Sequence, residues 1–173
     1  MSWWAEMRHS LVILILSLCL GGCGYRLPNA AVTPELSGKT VRIALFGNRT
    51  FKPSIEGILT NKLIDEFSLH SGTFVVSGDS DFIITGEILS YGASAASYSA
   101  ADIVREYRAT MTVEAVLRRK ETQQIIWKGS VSETQIYPAN TNVAFQQNSE
   151  EAALRELARA VAQKLYHHIA QGF

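Results

Sequence analysis

The side chains that could do chemistry are few and scattered. Beyond the first 22 residues the histidines are His70, His167 and His168. His167 and His168 are neighbours, so on a helix they point to different faces, and no carboxylate or thiol stands at ligand spacing from them. Asp79 and Asp81 flank Ser80, and paired acids can share acid–base work, but just before an apolar run they read as a turn. A nucleophile elbow, a glycine-rich phosphate loop and a C-x-x-C pair are all missing from the sequence. The expectation is a protein that is not an enzyme, with no metal and no catalytic cofactor. The densest basic run is Arg118-Arg119-Lys120. The run reads first as the solvated tip of a hairpin; because guanidinium forks can grip phosphates or carboxylates at two points, it is also the candidate contact for an acidic ligand or partner.

The remaining reactive group is a thiol. Leu11 to Leu20 is a ten-residue apolar run behind Arg8 and His9, and it ends in Leu20-Gly21-Gly22-Cys23. A run of that length suits a signal-peptide core and is about half of what a spanning helix needs. A branched residue, two small residues and Cys make a bacterial lipobox. Residues 1–22 are therefore expected to be a lipoprotein signal peptide, and Cys23 the lipidated first residue of the mature chain. Each buried CH₂ of an acyl chain contributes ~0.8 kcal/mol, so several chains on Cys23 anchor stably where one would not. Gly24, rather than Asp, resembles the sorting signal for the outer membrane. Cys19 leaves with the signal peptide, so the mature domain would hold no disulfide.

Sixteen basic residues balance sixteen acidic ones in 173, which argues against the basic footprint of a nucleic-acid-binding domain. The length suits one domain, and 47% apolar residues suffice for one core. Residues 23–40, with Pro28, Pro34 and Gly38, read as a tether, leaving 41–173 as a single domain. Val41 to Phe46 is strand-like and Gly47-Asn48-Arg49-Thr50 turn-like, with the Asn-x-Thr sequon read as part of that turn. Ile55, Ile58, Leu59, Leu63 and Phe67 recur at helical spacing behind Pro53. Strand signals follow at 74–76 and 82–91. From 103 to 119 residues alternate cleanly: Tyr107, Ala109, Met111, Val113, Ala115 and Leu117 on one face, Thr, Glu and Arg on the other. A partner strand runs from Gln124 to Tyr137. Asn148 with Glu151 suggests the start of a second helix, whose stripe is Leu154, Leu157, Ala158, Val161, Leu165 and Ile169.

The fold class expected is α/β, an α+β sandwich of order β-α-β-β-β-α: two helices packed on one face of a mixed, mostly antiparallel sheet. The other face, polar, would meet solvent or a partner. The small-residue stretch 92–101 reads either as a flexible loop or as a smooth strand lying against another wall. The segment 138–148, with Asn140, Asn142, Gln146 and Gln147, is expected as a loop and as a second candidate contact.

Cys23-Gly24-Tyr25, the run Val41 to Pro53 with Glu56, Gly86-Glu87-Ile88, Glu106-Tyr107 and Trp127-Lys128-Gly129 together resemble the lipopolysaccharide-assembly lipoprotein family, LptE. The likeness spans nearly all of 23–170. It implies a non-enzymatic outer-membrane lipoprotein that plugs the large barrel LptD, faces the periplasm from within that barrel's lumen, assists the barrel's assembly and helps place lipopolysaccharide in the outer leaflet. The family supplies no fixed motif for lipopolysaccharide contact that maps onto this chain. The alternative reading, from the Asn-x-Thr strand end that other lipoproteins share, is a subunit of an outer-membrane secretion complex.

Overall fold

The computed structural model describes residues 36–70 and 73–170. The expected signal peptide, Cys23 and most of the tether lie outside those residues. The long alternating runs form a meander: β4 (Phe82–Tyr98), β5 (Val104–Arg119) and β6 (Ile125–Pro138) pair antiparallel in turn. β1 (Lys39–Ile43) lies parallel to β4, and β3 (Thr73–Val75) parallel to β1, which gives the order β3-β1-β4-β5-β6. A two-residue strand, β2 (Gly47–Asn48), continues the line of β1 along β4. The helices are α1 (Ile55–Leu69) and α2 (Val143–Ala170).

Period two along the strands and period 3.6 along the helices meet in one core. Phe82, Ile84 and Ile88 of β4, Met111, Val113 and Leu117 of β5, and Val131 of β6 are buried on a single side of the sheet. Leu59, Leu63 and Phe67 of α1 and Leu154, Leu157, Val161 and Leu165 of α2 close over them. α2 lies against β5, β6 and α1, while α1 lies against β1, β2 and β3. The expected architecture, two helices on one face of a mixed, mostly antiparallel sheet, is the one observed. Leu36 is 1% exposed, so the core reaches back into the segment read as tether.

The line from β1 to β2 is broken by one residue. Ile43 pairs with Ile84, but Gly47 pairs with Glu87, so four steps on one strand match three on the other, as in a bulge. The bulge turns the Phe46 ring into the core, where it lies over Gly86. A Cβ at residue 86 would overlap that ring and come within 2.5 Å of the Glu114 carbonyl oxygen. The Phe46 N–H finds a partner in the buried Thr60 hydroxyl (3.1 Å), which donates in turn to the Glu56 carbonyl (2.7 Å). Next, Asn48 uses both ends of its amide. Its Oδ1 accepts from the Thr50 N–H and hydroxyl, each at 2.8 Å, an Asx turn. Its Nδ2 donates to the Lys52 carbonyl (2.8 Å) and the Glu56 carboxylate (2.9 Å). One side chain thus ends the strand, shapes the turn and holds the first turn of α1, whose N-cap Ser54 makes no side-chain capping bond.

Of the two readings of 92–101 the structure shows the strand: β4 runs to Tyr98, paired with β5 through Tyr98↔Val104. Small residues are poor strand formers alone, but β5 supplies the pairing. The expected order β-α-β-β-β-α is corrected: two strands precede α1 and four lie between α1 and α2. The second helix begins at Val143, not near Ser149, because Asn142 rather than Asn148 caps it: Asn142 Oδ1 accepts from Ala144 N (3.0 Å) and Phe145 N (3.3 Å). Residues 143–148 of the expected loop are helical.

Gly86→Ala is expected to cost about 3 kcal/mol by overpacking, lowering the melting temperature by about 10 °C. Gly92→Ala, where a Cβ meets open space, should change stability by less than ~0.5 kcal/mol. Asn48→Ala is expected to cost about 2–4 kcal/mol in urea unfolding, for loss of a side chain with four hydrogen-bonded contacts. Asn48→Asp should not rescue it, since a carboxylate would replace the donor that faces Glu56.

Candidate functional site

The side of the sheet away from the helices is uncovered by any other described element. Its residues come from alternate positions of the meander and are mainly polar, with Ile83, Val116 and Ile136 among them. Thr112 and Ser132 hydroxyls meet at 3.1 Å across β5 and β6, and Lys128 pairs with Glu114 at 3.2 Å. Ser97 donates to Glu106 (2.8 Å), and Arg49, from the turn after β2, reaches Glu87 at 2.5 Å. Hydroxyl contacts and ion pairs of this kind join neighbouring strands across the face.

The basic run lies at the opposite end of the meander from the Tyr98 turn, and the strand pleat divides it. Arg118 sits among the open-face positions of β5, opposite Ile83 of β4. Arg119 has its guanidinium 5.1 Å from the ring centre of Phe82, a cation–π contact. Lys120 pairs with Asp79. Arg119 and Lys120 line a cleft of about 320 Å³ together with Lys39, Asp79, Ser80, Asp81 and Glu121. Three bases and three acids line it, so the local charge is balanced. Asp81 is fixed by Thr40, whose backbone N–H and hydroxyl both donate to its carboxylate at 2.8 Å. Those bonds hold the Asp81 carboxyl below its ordinary value. Ser80 Oγ is buried there without a protein partner. Asp79 and Asp81 therefore act as an ion-pair partner and a strand clamp. The sequence shows the three bases but not Lys39, Asp79 and Asp81 as their neighbours, which antiparallel pairing at Phe82↔Arg119 and parallel pairing at Val41↔Phe82 bring together.

The second candidate region, 138–148, folds back on itself. Asn140 N–H donates to Gln146 Oε1 (2.7 Å), and Asn140 Nδ2 to Ser149 Oγ (3.0 Å). Val143 and Phe145 on the first turns of α2 are exposed, as is Phe51 in the turn beyond Asn48. Glu150 ties this end to the rest: its carboxylate takes Lys52 Nζ at 2.6 Å and the Tyr91 hydroxyl at 3.3 Å. Burial, and then the Glu150 charge, push the Tyr91 hydroxyl pKa up. His70 lies far along the chain from His167 and His168. It bonds Glu66 at 3.0 Å and stacks on Tyr166 with ring centres 4.0 Å apart, an α1–α2 contact rather than a catalytic pair. Among the described residues no group of three or more His, Cys, Asp or Glu is placed to hold a metal ion. No helix among them is long and apolar enough to cross a membrane.

No curated protein matches the sequence. Solved structures share the fold at low identity. Rare lipoprotein B from Shewanella oneidensis matches with a TM-score of 0.52 and 14% identity, over 74% of this chain and 92% of its own. A lipoprotein B from Nitrosomonas europaea matches at 0.52 and 20%, over 76% and 82%. A candidate lipoprotein from Caulobacter crescentus matches at 0.56 and 11%, over 73% and 88%. The model of one family, described as lipopolysaccharide-assembly, matches residues 38–169, from the residue before β1 to the last turn of α2. The bulge, the Asn48 turn, the one-sided sheet and both helices all fall inside that match, and the chain belongs to the LptE lipopolysaccharide-assembly family.

Proposed function

We propose that this protein is an outer-membrane lipoprotein that plugs the lumen of a large LptD-type barrel, assists that barrel's assembly and helps deliver lipopolysaccharide to the outer leaflet. Family membership over the folded domain supports lipopolysaccharide assembly as the process. The observation that carries the plug reading is the one-sided sheet. Helices close one face, and the other offers hydroxyls and paired charges, the surface suited to the polar, water-lined interior of a barrel. The protein works by binding and positioning, not by making bonds. Lipid on Cys23 supplies the membrane anchor. Arg118, Arg119 and Lys120 are the proposed contact for the phosphates and carboxylates of the lipopolysaccharide inner sugars: Arg118 from the open face, Arg119 and Lys120 from the adjoining cleft. Use of Lys120 requires that the ligand compete with Asp79.

Tagged full-length chain purified from outer membranes should bring down one barrel of much larger mass in a one-to-one ratio. A ring of identical subunits instead would support the secretion-complex reading. Cys23→Ala should abolish palmitate labelling, and retained label would exclude Cys23 as the lipid site. Changing Arg118, Arg119 and Lys120 together to Glu should weaken lipopolysaccharide binding by the detergent-solubilised chain about tenfold at low salt, and less at higher salt. Unchanged binding with unchanged melting would remove the basic end as the contact and leave 138–142 and the start of α2.

A further inference from the structure

Over its first half β4 is paired on both edges: β5 holds one, and β1 and β2 hold the other. The last bond on that second edge runs from Arg49 N–H to the Ile88 carbonyl, 3.1 Å. From Leu89 to Tyr98 the edge has no backbone partner among the described residues, while β5 keeps the strand extended through Tyr91↔Met111, Ala93↔Ala109 and Ala95↔Tyr107. A strand held in this way turns a row of N–H and C=O groups outward, a template for another strand. Edges are ordinarily guarded by charge, proline or a covering element. Leu89-Ser90-Tyr91-Gly92-Ala93-Ser94-Ala95-Ala96-Ser97-Tyr98 contains neither charge nor proline. The far edge of the sheet differs: β6 carries Lys128, Glu133 and Pro138, and α2 packs along it, with Lys164 reaching Glu133 at 2.6 Å. At the other end β3 is only three residues long. Register shifts at Ile88/Ser90 and Ala95/Ser97 bracket Ser90–Ala95, a regular run long enough to pair a whole strand.

We propose that the Leu89–Tyr98 edge of β4 is a strand-addition site, occupied by an extended, uncharged segment from a lumenal loop of the partner barrel. The proposal rests on the plug reading above. The barrel wall itself cannot supply the strand, because a closed barrel has no free edge; a loop folded into the lumen can. The side chains favour a foreign segment over a second copy. Gly92 to Ser97 are all Gly, Ala or Ser, so the same run of a second copy would bring no bulky side chain to cover them. The partner segment must bring the bulk, as β-branched or aromatic residues that lie over the small side chains between Tyr91 and Tyr98. Main-chain bonds then give affinity, and the flat strand between two tyrosines gives register.

Amide hydrogen exchange on the unmodified full chain, alone in detergent and in the co-purified barrel complex, tests this directly. Outward amides within Ser90–Ser97 should exchange at least about tenfold more slowly in the complex, with β6 amides unchanged. A photo-crosslinking residue at Ser94 should join a loop peptide of the barrel. Ser94→Lys with Ala96→Lys should reduce barrel recovery about tenfold at unchanged melting temperature, since a charged edge resists pairing. If no barrel co-purifies with the unmodified chain, the plug reading fails. If the barrel co-purifies but the edge amides exchange at equal rates, the strand-addition site is overturned and the plug reading stands. A Ser94 crosslink to a second copy of this chain overturns the choice of occupant.

Discussion

The Phe46 ring fills the space that a side chain at residue 86 would need, and the chain's path through the rest of the molecule follows from that contact. To seat the ring the backbone takes on one extra residue opposite β4. The extra residue leaves an N–H that no strand can satisfy, and Thr60 of α1 accepts it. Helix and sheet are thereby joined at the bulge by a hydrogen bond and a ring contact together. Asn48 completes the manoeuvre by drawing Thr50, Lys52 and Glu56 around its amide, so that the chain quits the sheet beside Ile88. Beyond that point β4 has no strand neighbour on that side among the described residues.

The two faces of the sheet are governed by different physics. The inner face is closed by volume: Leu, Ile, Phe and Met interdigitate with the helix stripes and are almost fully buried. The outer face is held by cross-strand pairs that are partly exposed. Ion pairs such as Lys128–Glu114, with side chains 54% and 39% exposed, contribute little to stability. Their value is in what they prevent. A face of matched charges and hydroxyls can lie against a wet wall without collapsing onto apolar surfaces elsewhere.

Much of this was legible in the sequence because it is periodic. The buried positions of β5 and the stripe of α2 are those expected from spacing alone, and so is the turn at Asn48. What was not legible is non-local. Gly92 to Ser97 left loop and strand both open; they are extended because β5 lies beside them. The start of α2 was misplaced because Asn142 and Asn148 are both competent caps, and only the backbone path from Pro138 chooses between them. The basic run was visible as a cluster, but the answering acids Asp79 and Asp81 reach it through β4–β5 pairing at Phe82↔Arg119, across some forty residues of chain. The bare edge of β4 could not be read at all, since it is defined by where another strand stops.

The topology also separates the molecule in time. β4, β5 and β6 follow one another in sequence, and α2 packs back on the last two, so this C-terminal block assembles through short-range closures. β1 must instead reach β4 across α1 and β3, pairing parallel at Val41↔Phe82. Such closures are slower because loop entropy is lost before any contact is gained. A chain emerging N-terminus first therefore holds its leading strand unplaced until residue 82 and the strands after it exist. The docking of β1 and the seating of Phe46 over Gly86 both wait on the same stretch of β4.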